Sequence, residues 1–336
     1  MRIDVHAHVL TERMMARLQE AAAEHAPRLQ ARHGDWAELW TGSGTYQPFP
    51  VGGWDIARRL ADMDAVGVDV QVLGVVPFTY YYYLPVEVAQ RFARIQNEEI
   101  AALCRQHPTR FVGLATLPMQ APELAAAELR YAMTELGLRG AALGTNIDGR
   151  NLDLPELEPV WAAAEELGAF LFVHPDRVCA QDRLGSYYLH NLIGNPTDTS
   201  IAIASLVFGG VVERHPRLVC CFAHGGGFIP YQQGRLLHGW RRRREPRARL
   251  QGSPAASLAR LYFDTIVHSS PALRYLVQVA GAERVLLGSD YPFDMGPEDP
   301  VAEVLGADLS ATEREAVLGG NAARLLGIPM PGTHRS

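Results

Sequence analysis

Residues 2–9, RIDVHAHV, form a short and mostly apolar run that predicts a β-strand buried on both of its faces. His6 and His8 stand two positions apart in this run, so both side chains point to the same face of the strand. Paired imidazoles on one face of a strand indicate a metal site, although histidines also serve as hydrogen-bonded core residues. The other polar residues of the chain decide between these two interpretations.

Seven further β-rich runs follow, and helical patterns separate most of them. The predicted strands are residues 68–76, 111–117, 140–145, 169–174, 218–224, 261–267 and 284–290. The helical patterns cover residues 85–107, 122–136 and 155–167. Eight strands that alternate with helices predict the α/β class, as a closed barrel or as an open doubly wound sheet. The chemistry described below favours the (β/α)8 TIM barrel.

The chain of 336 residues shows no internal repeat and no linker. We therefore predict a single barrel domain over residues 1–328, with an insertion after strand 1 at residues 10–53 and a loose tail at residues 329–336. The insertion lacks clear periodicity and contains Trp36, Trp40 and Tyr46.

Composition excludes several classes of protein. A formal net charge of −6 gives no general attraction to nucleic acid or to an anionic membrane, and no apolar run reaches 18 residues. Neither nucleic acid nor a membrane is therefore expected as a partner. The two histidines near the N-terminus stand where a secretory signal needs apolar residues, so we predict a cytoplasmic protein.

Counts of two residue types are also informative. Four cysteines without a CxxC motif imply neither a disulfide framework nor a cysteine-based zinc site. All 31 Lys+Arg residues are arginine. The absence of lysine excludes Schiff-base chemistry, an internal pyridoxal aldimine, a P-loop and a carbamylated lysine that bridges two metals.

Polar residues recur at the carboxyl ends of the predicted strands. His174 ends the fifth strand, His224 ends the sixth before three glycines, and Asp290 ends the eighth. In a barrel these ends converge on one mouth, where catalytic residues lie. Three neutral imidazoles and one carboxylate form the ligand set of a catalytic zinc or a similar divalent ion. Asp264, late in the seventh strand, is expected to be a structural hydrogen-bond acceptor.

Six segments together resemble the amidohydrolase superfamily, in the branch that contains 2-amino-3-carboxymuconate 6-semialdehyde decarboxylase (ACMSD). They are IDVHAH (3–8), WDIARRLADMDAVGVDVQ (54–71), RFVGLATLPMQAPELA (110–125), LFVHP (171–175), CFAHGGG (221–227) and LLGSDYPF (286–293). The resemblance implies a (β/α)8 barrel that holds a single divalent metal, most often Zn²⁺, with Mn²⁺ as an alternative.

The resemblance also implies roles for individual residues. His6, His8, His174 and Asp290 match the metal ligands of the family. His224 matches a catalytic histidine beside the metal, and Asp290 could also pass a proton to carbon. The absence of lysine agrees with a single metal, because binuclear relatives normally need the carbamylated lysine.

Two arginines match family residues that hold substrate carboxylates, a task for which the guanidinium fork is suited. Arg235 matches a residue that reaches into a neighbouring subunit's site, and Arg243 matches one at the interface of a homodimer. The other interpretation is that these arginines form a solvent-exposed charged face. The run of four arginines at residues 241–244, which includes Arg243, is typical of such a face.

The substrate-binding shell departs from that of the family's decarboxylase. Gln47 replaces an arginine, and Asp176 and Asn191 replace tryptophans. These changes remove one carboxylate clamp and aromatic walls, and they add polar groups. We therefore expect a substrate other than aminocarboxymuconate semialdehyde itself.

The sequence accordingly predicts a metal-dependent, non-oxidative decarboxylase, a carboxy-lyase, that acts on a small unsaturated or aromatic carboxylic acid. The alternative is a hydrolase or hydratase that uses a ring-cleavage product on the same scaffold. A serine esterase is disfavoured because no Gly-x-Ser-x-Gly elbow is present. A nucleic-acid-binding protein that uses the arginines of residues 241–249 is disfavoured by the acidic balance.

Overall fold

The computed structural model describes residues 1–42 and 44–329, and this part of the chain contains eleven β-strands and thirteen α-helices. The strands are β1 (Ile3–Val9), β2 (Arg28–Arg32), β3 (Trp36–Trp40), β4 (Thr45–Pro50), β5 (Val70–Val75), β6 (Phe111–Gly113), β7 (Gly140–Gly144), β8 (Phe170–His174), β9 (Val219–Phe222), β10 (Tyr262–Asp264) and β11 (Val285–Leu286).

The helices lie between and after these strands. They are α1 (Glu12–Ala22), α2 (Ile56–Val66), α3 (Val86–Gln106), α4 (Pro122–Thr134), α5 (Glu158–Leu167), α6 (Asn195–Phe208), α7 (Val211–Arg214), α8 (Ile229–Arg242), α9 (Pro254–Leu258), α10 (Ser270–Ala280), α11 (Pro300–Gly306), α12 (Ala311–Glu315) and α13 (Asn321–Leu326).

Eight of the strands form a closed parallel barrel. β1, β5 and β6 pair in that order, and β7 to β11 pair as a second run. Parallel bridges join the two runs, one between Ala115 and Ala141 and the other between Ala7 and Tyr291. The amide of Val5 also donates to the carbonyl of Leu287 at 2.8 Å. The predicted (β/α)8 TIM barrel is therefore confirmed.

Burial explains why these runs become barrel strands. All seven residues of β1 are buried, as are all residues of β5, β7 and β8, because helices cover the outside and side chains fill the inside. The predicted apolar stripe of α5 is also buried, with Trp161 only 1% exposed. Truncation of such a core tryptophan to alanine typically costs about 3–5 kcal/mol.

The last barrel strands are shorter than predicted. β9 ends at Phe222 and β11 ends at Leu286, so His224 and Asp290 lie in the loops that follow. Both residues have left-handed backbone, with φ of 55° and 57°. That conformation is uncommon for residues other than glycine and is often associated with functional sites.

The insertion has regular structure that its sequence did not reveal. It contains α1 and a three-stranded antiparallel sheet in the order β2-β3-β4. The strands of this sheet have five or six residues each, too few for a clear period, and only one face of β3 is fully buried. Of the tail predicted to be loose, residues 330–336 lie outside the described residues.

No helix within the described ranges combines the length and the apolar character that crossing a membrane would require.

Candidate metal centre and active site

Three imidazoles from two strands converge on one oxygen of Asp290. The Nε2 atoms of His6 and His8 lie 3.0 Å apart, and each lies 3.1 Å from Oδ1 of Asp290. Nε2 of His174, at the end of β8, lies 4.0 Å from the same oxygen. All four residues are buried. The barrel thus brings together side chains that are up to 284 positions apart in the sequence.

The opposite nitrogen of each of these rings has its own hydrogen-bond acceptor. Nδ1 of His6 lies 2.7 Å from Oδ2 of Asp264, and Nδ1 of His8 lies 3.1 Å from the carbonyl of Val75. Nδ1 of His174 lies 2.8 Å from the carbonyl of Pro175. A proton held on Nδ1 in this way leaves the lone pair of Nε2 directed at the centre of the cluster, as the hydrogen-bond acceptors behind metal-binding histidines do.

His224 is arranged differently. Its Nε2 lies 3.6 Å from Oδ2 of Asp290, whereas the distances of the other three rings are to Oδ1. Its Nδ1 is buried and has no hydrogen-bond partner within the described part of the chain. Its side chain is also more exposed, at 16% against 7% for His174. His224 therefore meets the carboxylate at its other oxygen, and its ring is the most exposed of the four.

The donor set fits a divalent metal. One donor atom from each of His6, His174, His224 and Asp290 lies within 4.8 Å of all the others. Nε2 of His174 is buried without a hydrogen-bond partner among the described residues, a state that typically costs about 1–3 kcal/mol. A cation held at this point would satisfy that nitrogen, and neutral imidazoles with a carboxylate are ligands that zinc and related ions accept.

The protonation states of His174 and Asp290 suit the same ion. Burial and the neighbouring imidazoles of His8, His6 and His224 hold the pKa of His174 well below its usual value, which keeps the ring neutral. Burial would raise the pKa of the Asp290 carboxyl, but the surrounding histidines hold it well below its usual range. A neutral imidazole and an ionised carboxylate are the forms that bind metals.

Asp264 links the metal cluster to the His224 loop. It is fully buried, and its Oδ2 accepts hydrogen bonds from Nδ1 of His6 and from the amide of His224 at 3.0 Å. Its Oδ1 accepts from the amides of Gly225 at 2.8 Å and Ile266 at 3.1 Å. The prediction of a structural acceptor at the end of the seventh barrel strand is confirmed, and its partners show which residues it holds in place.

The glycines after His224 allow the chain to turn beneath it. Gly225 has φ of +61°, and a Cβ atom there would come within 2.4 Å of Val267. Gly227 also has φ of +61°, and its Cβ would come within 2.2 Å of the carbonyl of Pro196. Only glycine tolerates both the conformation and the close approach.

A cavity of about 440 Å³ opens from the histidine cluster, of a size that suits a small ligand. His174 and Asp290 are among the residues that line it. Four aromatic side chains contribute to its walls: Tyr46, Phe78, Tyr188 and Phe293. The ring centroid of Tyr46 lies 5.4 Å from that of Phe78 and 5.7 Å from that of Phe293. Such walls suit a planar, unsaturated or aromatic ligand.

The structure separates the residues predicted to bind substrate into two groups. Asp176 and Asn191 line the cavity, together with His190. Gln47 is exposed on β4 and is not among the lining residues, whereas its neighbour Tyr46 is. Tyr46 was not predicted to line the cavity, because the resemblance points to the adjacent position, Gln47.

The two predicted arginines lie outside this cavity. Arg235 is exposed on α8, and Arg243 is exposed just after that helix, where it donates to Oε1 of Glu245 at 2.8 Å. Neither is brought to the histidine cluster within one chain, so their assignment to substrate binding stays a prediction.

Comparison with known proteins identifies similar chains that cover most of this one. The amidohydrolase family matches residues 3–328. The 2-amino-3-carboxymuconate-6-semialdehyde decarboxylase of Dictyostelium discoideum is 35% identical over 342 residues, which cover 98% of this chain and 92% of that protein. Gamma-resorcylate decarboxylase of Rhizobium sp. is 29% identical over 70% of this chain and 76% of its own. The crystal structure of 5-carboxyvanillate decarboxylase from Sphingomonas paucimobilis superposes with a TM-score of 0.83 at 27% identity, over 98% of this chain and 99% of that one.

Proposed function

Because the chain belongs to the amidohydrolase family, we propose that it releases carbon dioxide from a small aromatic or unsaturated carboxylic acid. It is a metal-dependent carboxy-lyase, the class of its curated relatives. The observation that carries the proposal is the convergence of three imidazoles on Oδ1 of Asp290, which lines a cavity with aromatic walls.

His6, His8, His174 and Asp290 would hold the metal, with Zn²⁺ as the first candidate and Mn²⁺ as the second. The anchored Nδ1 atoms of the three rings support this set, because each leaves Nε2 directed at the same point. When bound, a divalent cation here supplies Lewis-acid polarisation of a water or substrate oxygen.

His224 and Asp290 would transfer the proton that the reaction consumes. Decarboxylation breaks the bond between a carbon and the carboxylate, releases carbon dioxide and leaves that carbon to take up one proton. Nε2 of His224 and Oδ2 of Asp290 lie 3.6 Å apart beside the cavity, so a small adjustment lets a proton pass between them. In this assignment His224 is the general base and acid, and Asp290 shuttles the proton towards carbon.

We further propose that the substrate differs from aminocarboxymuconate semialdehyde. Asp176 and Asn191 line the cavity at positions where the family's decarboxylase has tryptophans, which supports a different substrate shell. The test is an assay of the purified, metal-loaded protein on that compound and on a series of dihydroxybenzoates, with released carbon dioxide as the readout. Efficient turnover of the semialdehyde would contradict the proposal, and conversion without gas release would indicate a hydratase or hydrolase.

The active form is proposed to be a homodimer in which Arg235 binds a substrate carboxylate in the neighbouring site. Arg235 and Tyr231 stand four positions apart on α8, so they share a face of that helix. Tyr231 is 77% exposed, and the nearby rings of Phe228 and Tyr275 are 43% and 40% exposed. Exposed aromatic residues beside an arginine are typical of protein interfaces. The cytoplasmic location stays a prediction.

A further inference from the structure

We propose that Arg59 is a positioning residue for the metal centre: its guanidinium holds β1, which carries two of the proposed ligands, against the loop that carries Asp290. This inference rests on the proposed function, since it concerns the same metal site. It also assigns a task to the segment of residues 54–71, which carries part of the family resemblance. That segment contains none of the proposed metal ligands and none of the residues that line the cavity.

Arg59 is a fully buried arginine on α2. One of its Nη atoms donates to the carbonyl of His8, and the other donates to Oε1 of Gln71 at 3.0 Å. The guanidinium also lies over the ring of Tyr291, with Cζ 4.7 Å from the ring centroid. Its Nε has no acceptor among the described residues. These three groups are therefore what holds the guanidinium in place.

The guanidinium contacts both chain segments that meet at the metal cluster. His8 is itself a proposed ligand, and Tyr291 directly follows another, Asp290. The amide of His8 donates to the carbonyl of Tyr291 at 2.7 Å. Since Arg59 holds the carbonyl of His8 and the ring of Tyr291, the three residues form a closed triangle of contacts. The spacing between β1 and the loop is thus fixed at more than one point.

Helix α2 holds Tyr291 a second time. The hydroxyl of Tyr291 donates to Oδ2 of Asp62 at 2.7 Å. Asp62 stands three positions after Arg59 on α2, so both residues lie on one face of that helix. The helix therefore contacts the face of the tyrosine ring and also its hydroxyl, and it anchors the backbone that follows Asp290.

A chain of buried hydrogen bonds extends from Arg59 to the other end of the same two segments. Nε2 of Gln71 donates to Oδ2 of Asp4 at 3.0 Å. Oδ1 of Asp4 accepts from the amides of His6 at 3.0 Å and Ser289 at 3.1 Å. Ser289 directly precedes the proposed carboxylate ligand. Arg59 thus orients Gln71, and Gln71 orients the carboxyl group that joins the two segments.

The burial of this cation also favours a functional role. Burial lowers the pKa of the Arg59 guanidinium to about 10, so it stays charged at neutral pH. Within the described ranges no carboxylate forms an ion pair with it, and a buried charge without such a partner is costly. Departures of this kind from inexpensive apolar packing are expected mainly at functional sites.

Metal affinity tests this inference. Dissociation constants for Zn²⁺ and Mn²⁺ are measured by calorimetry on the full-length, metal-free wild type, Arg59→Met and Arg59→Lys. Arg94→Met and Arg94→Lys are the matched controls. Arg94 also lies over a tyrosine, with Cζ 3.7 Å from the ring centroid of Tyr131, and it pairs with the buried Glu128 at 2.7 Å. Its loss should therefore destabilise the fold without acting on the metal cluster.

Arg59→Met should weaken the binding of both metals by about tenfold or more, within the 10–100-fold range for groups that orient metal ligands. Arg59→Lys should recover part of the affinity, because an ammonium can donate to the carbonyl of His8 but lacks the planar fork that also reaches Gln71. The visible spectrum of the cobalt-loaded protein, which reports coordination geometry, should change in Arg59→Met. Both Arg94 variants should keep the affinity and the spectrum of the wild type, although their Tm falls.

If Arg59→Met does not fold, Arg59→Lys decides, since it keeps the charge and most of the length of the side chain. Unchanged affinity in a folded Arg59 variant would overturn the inference, as would equal losses in the Arg59 and Arg94 variants.

The two proposals fail in distinguishable ways. Weaker metal binding in the Arg59 variants, together with a wild type that releases no carbon dioxide from any acid tested, would refute the proposed function and leave the inference intact. Gas release by the wild type, with a metal affinity that does not depend on Arg59, would do the reverse.

Discussion

Oδ2 of Asp264 lies 2.7 Å from Nδ1 of His6 and also accepts the amide hydrogen of His224. One buried oxygen therefore orients a proposed metal ligand on the first barrel strand and the backbone of the proposed acid-base residue after the sixth. Asp264 does not line the cavity. Its carboxylate nevertheless sets the relative position of the two functional histidines.

The change Asp264→Asn should weaken metal binding. The amide oxygen can replace only one of the two carboxylate acceptors, and the amide nitrogen cannot accept from Nδ1 of His6. Loss of such a partner typically lowers metal affinity about 10–100-fold. Metal titration monitored by calorimetry checks the expectation. Asp308→Asn, which alters an exposed carboxylate, is the control and should leave the affinity unchanged. Equal affinities in both variants would show that Asp264 does not support the ligand.

His174→Ala and His224→Ala should both abolish activity but should differ in metal content. Removal of His174 takes away a proposed ligand, so the purified variant should contain little metal. Removal of His224 should leave the metal in place and lower kcat by roughly 10²–10⁴-fold, the range for a lost general base. Elemental analysis of both proteins is the measurement. Equal metal loss would mean that His224 is itself a ligand.

His174→Ala and His224→Ala should also differ in how metal removal affects their stability. A metal at 1,000 times its dissociation constant stabilises the folded state by about 4 kcal/mol. Chelation should therefore lower the Tm of the wild type and of His224→Ala by several degrees, and it should hardly change that of His174→Ala. If chelation leaves the Tm unchanged in every variant, the cluster does not hold a metal in solution.

Tyr46 and Gln47 are neighbours that should respond differently to substitution. Tyr46→Ala removes an aromatic wall of the cavity that contacts Phe78 and Phe293, so kcat/KM should fall about tenfold, the effect of a lost ring contact. Gln47→Ala alters an exposed side chain outside the lining and should change kcat/KM less than about twofold. The reverse order of effects would restore the sequence-based assignment of Gln47.

Subunit mixing decides where Arg235 acts. Arg235→Ala and His224→Ala should each be inactive alone. Unfolding and refolding them together would generate mixed dimers in which one site has both residues intact, provided that Arg235 serves the neighbouring subunit. Up to about a quarter of the wild-type activity is then expected from random mixing. Sedimentation analysis establishes the oligomeric state, and absence of recovery in mixed dimers would place Arg235 in its own site or outside catalysis.

Much of the fold was predictable because it depends on local patterns. Continuous apolar runs define strands that are buried on both faces, and all eight predicted barrel strands are present in the predicted order. The sheet of β2, β3 and β4 was missed, since strands of five or six residues that bury only one face carry too little periodicity. The strand ends were also misplaced, because hydrogen bonding between neighbouring strands decides where pairing stops.

The sequence by itself determined which donor groups are available: two imidazoles on the first strand, one at the end of the fifth, one carboxylate, a further histidine and no lysine. The tertiary structure alone decided how they meet, with three rings within 4.0 Å of Oδ1 of Asp290 and His224 at 3.6 Å from Oδ2. It also decided that Tyr46 and Asp176 line the cavity while Gln47 does not. The physical reason is that residue type and period follow from local chemistry. Distances between atoms more than a hundred residues apart exist only once the barrel has closed.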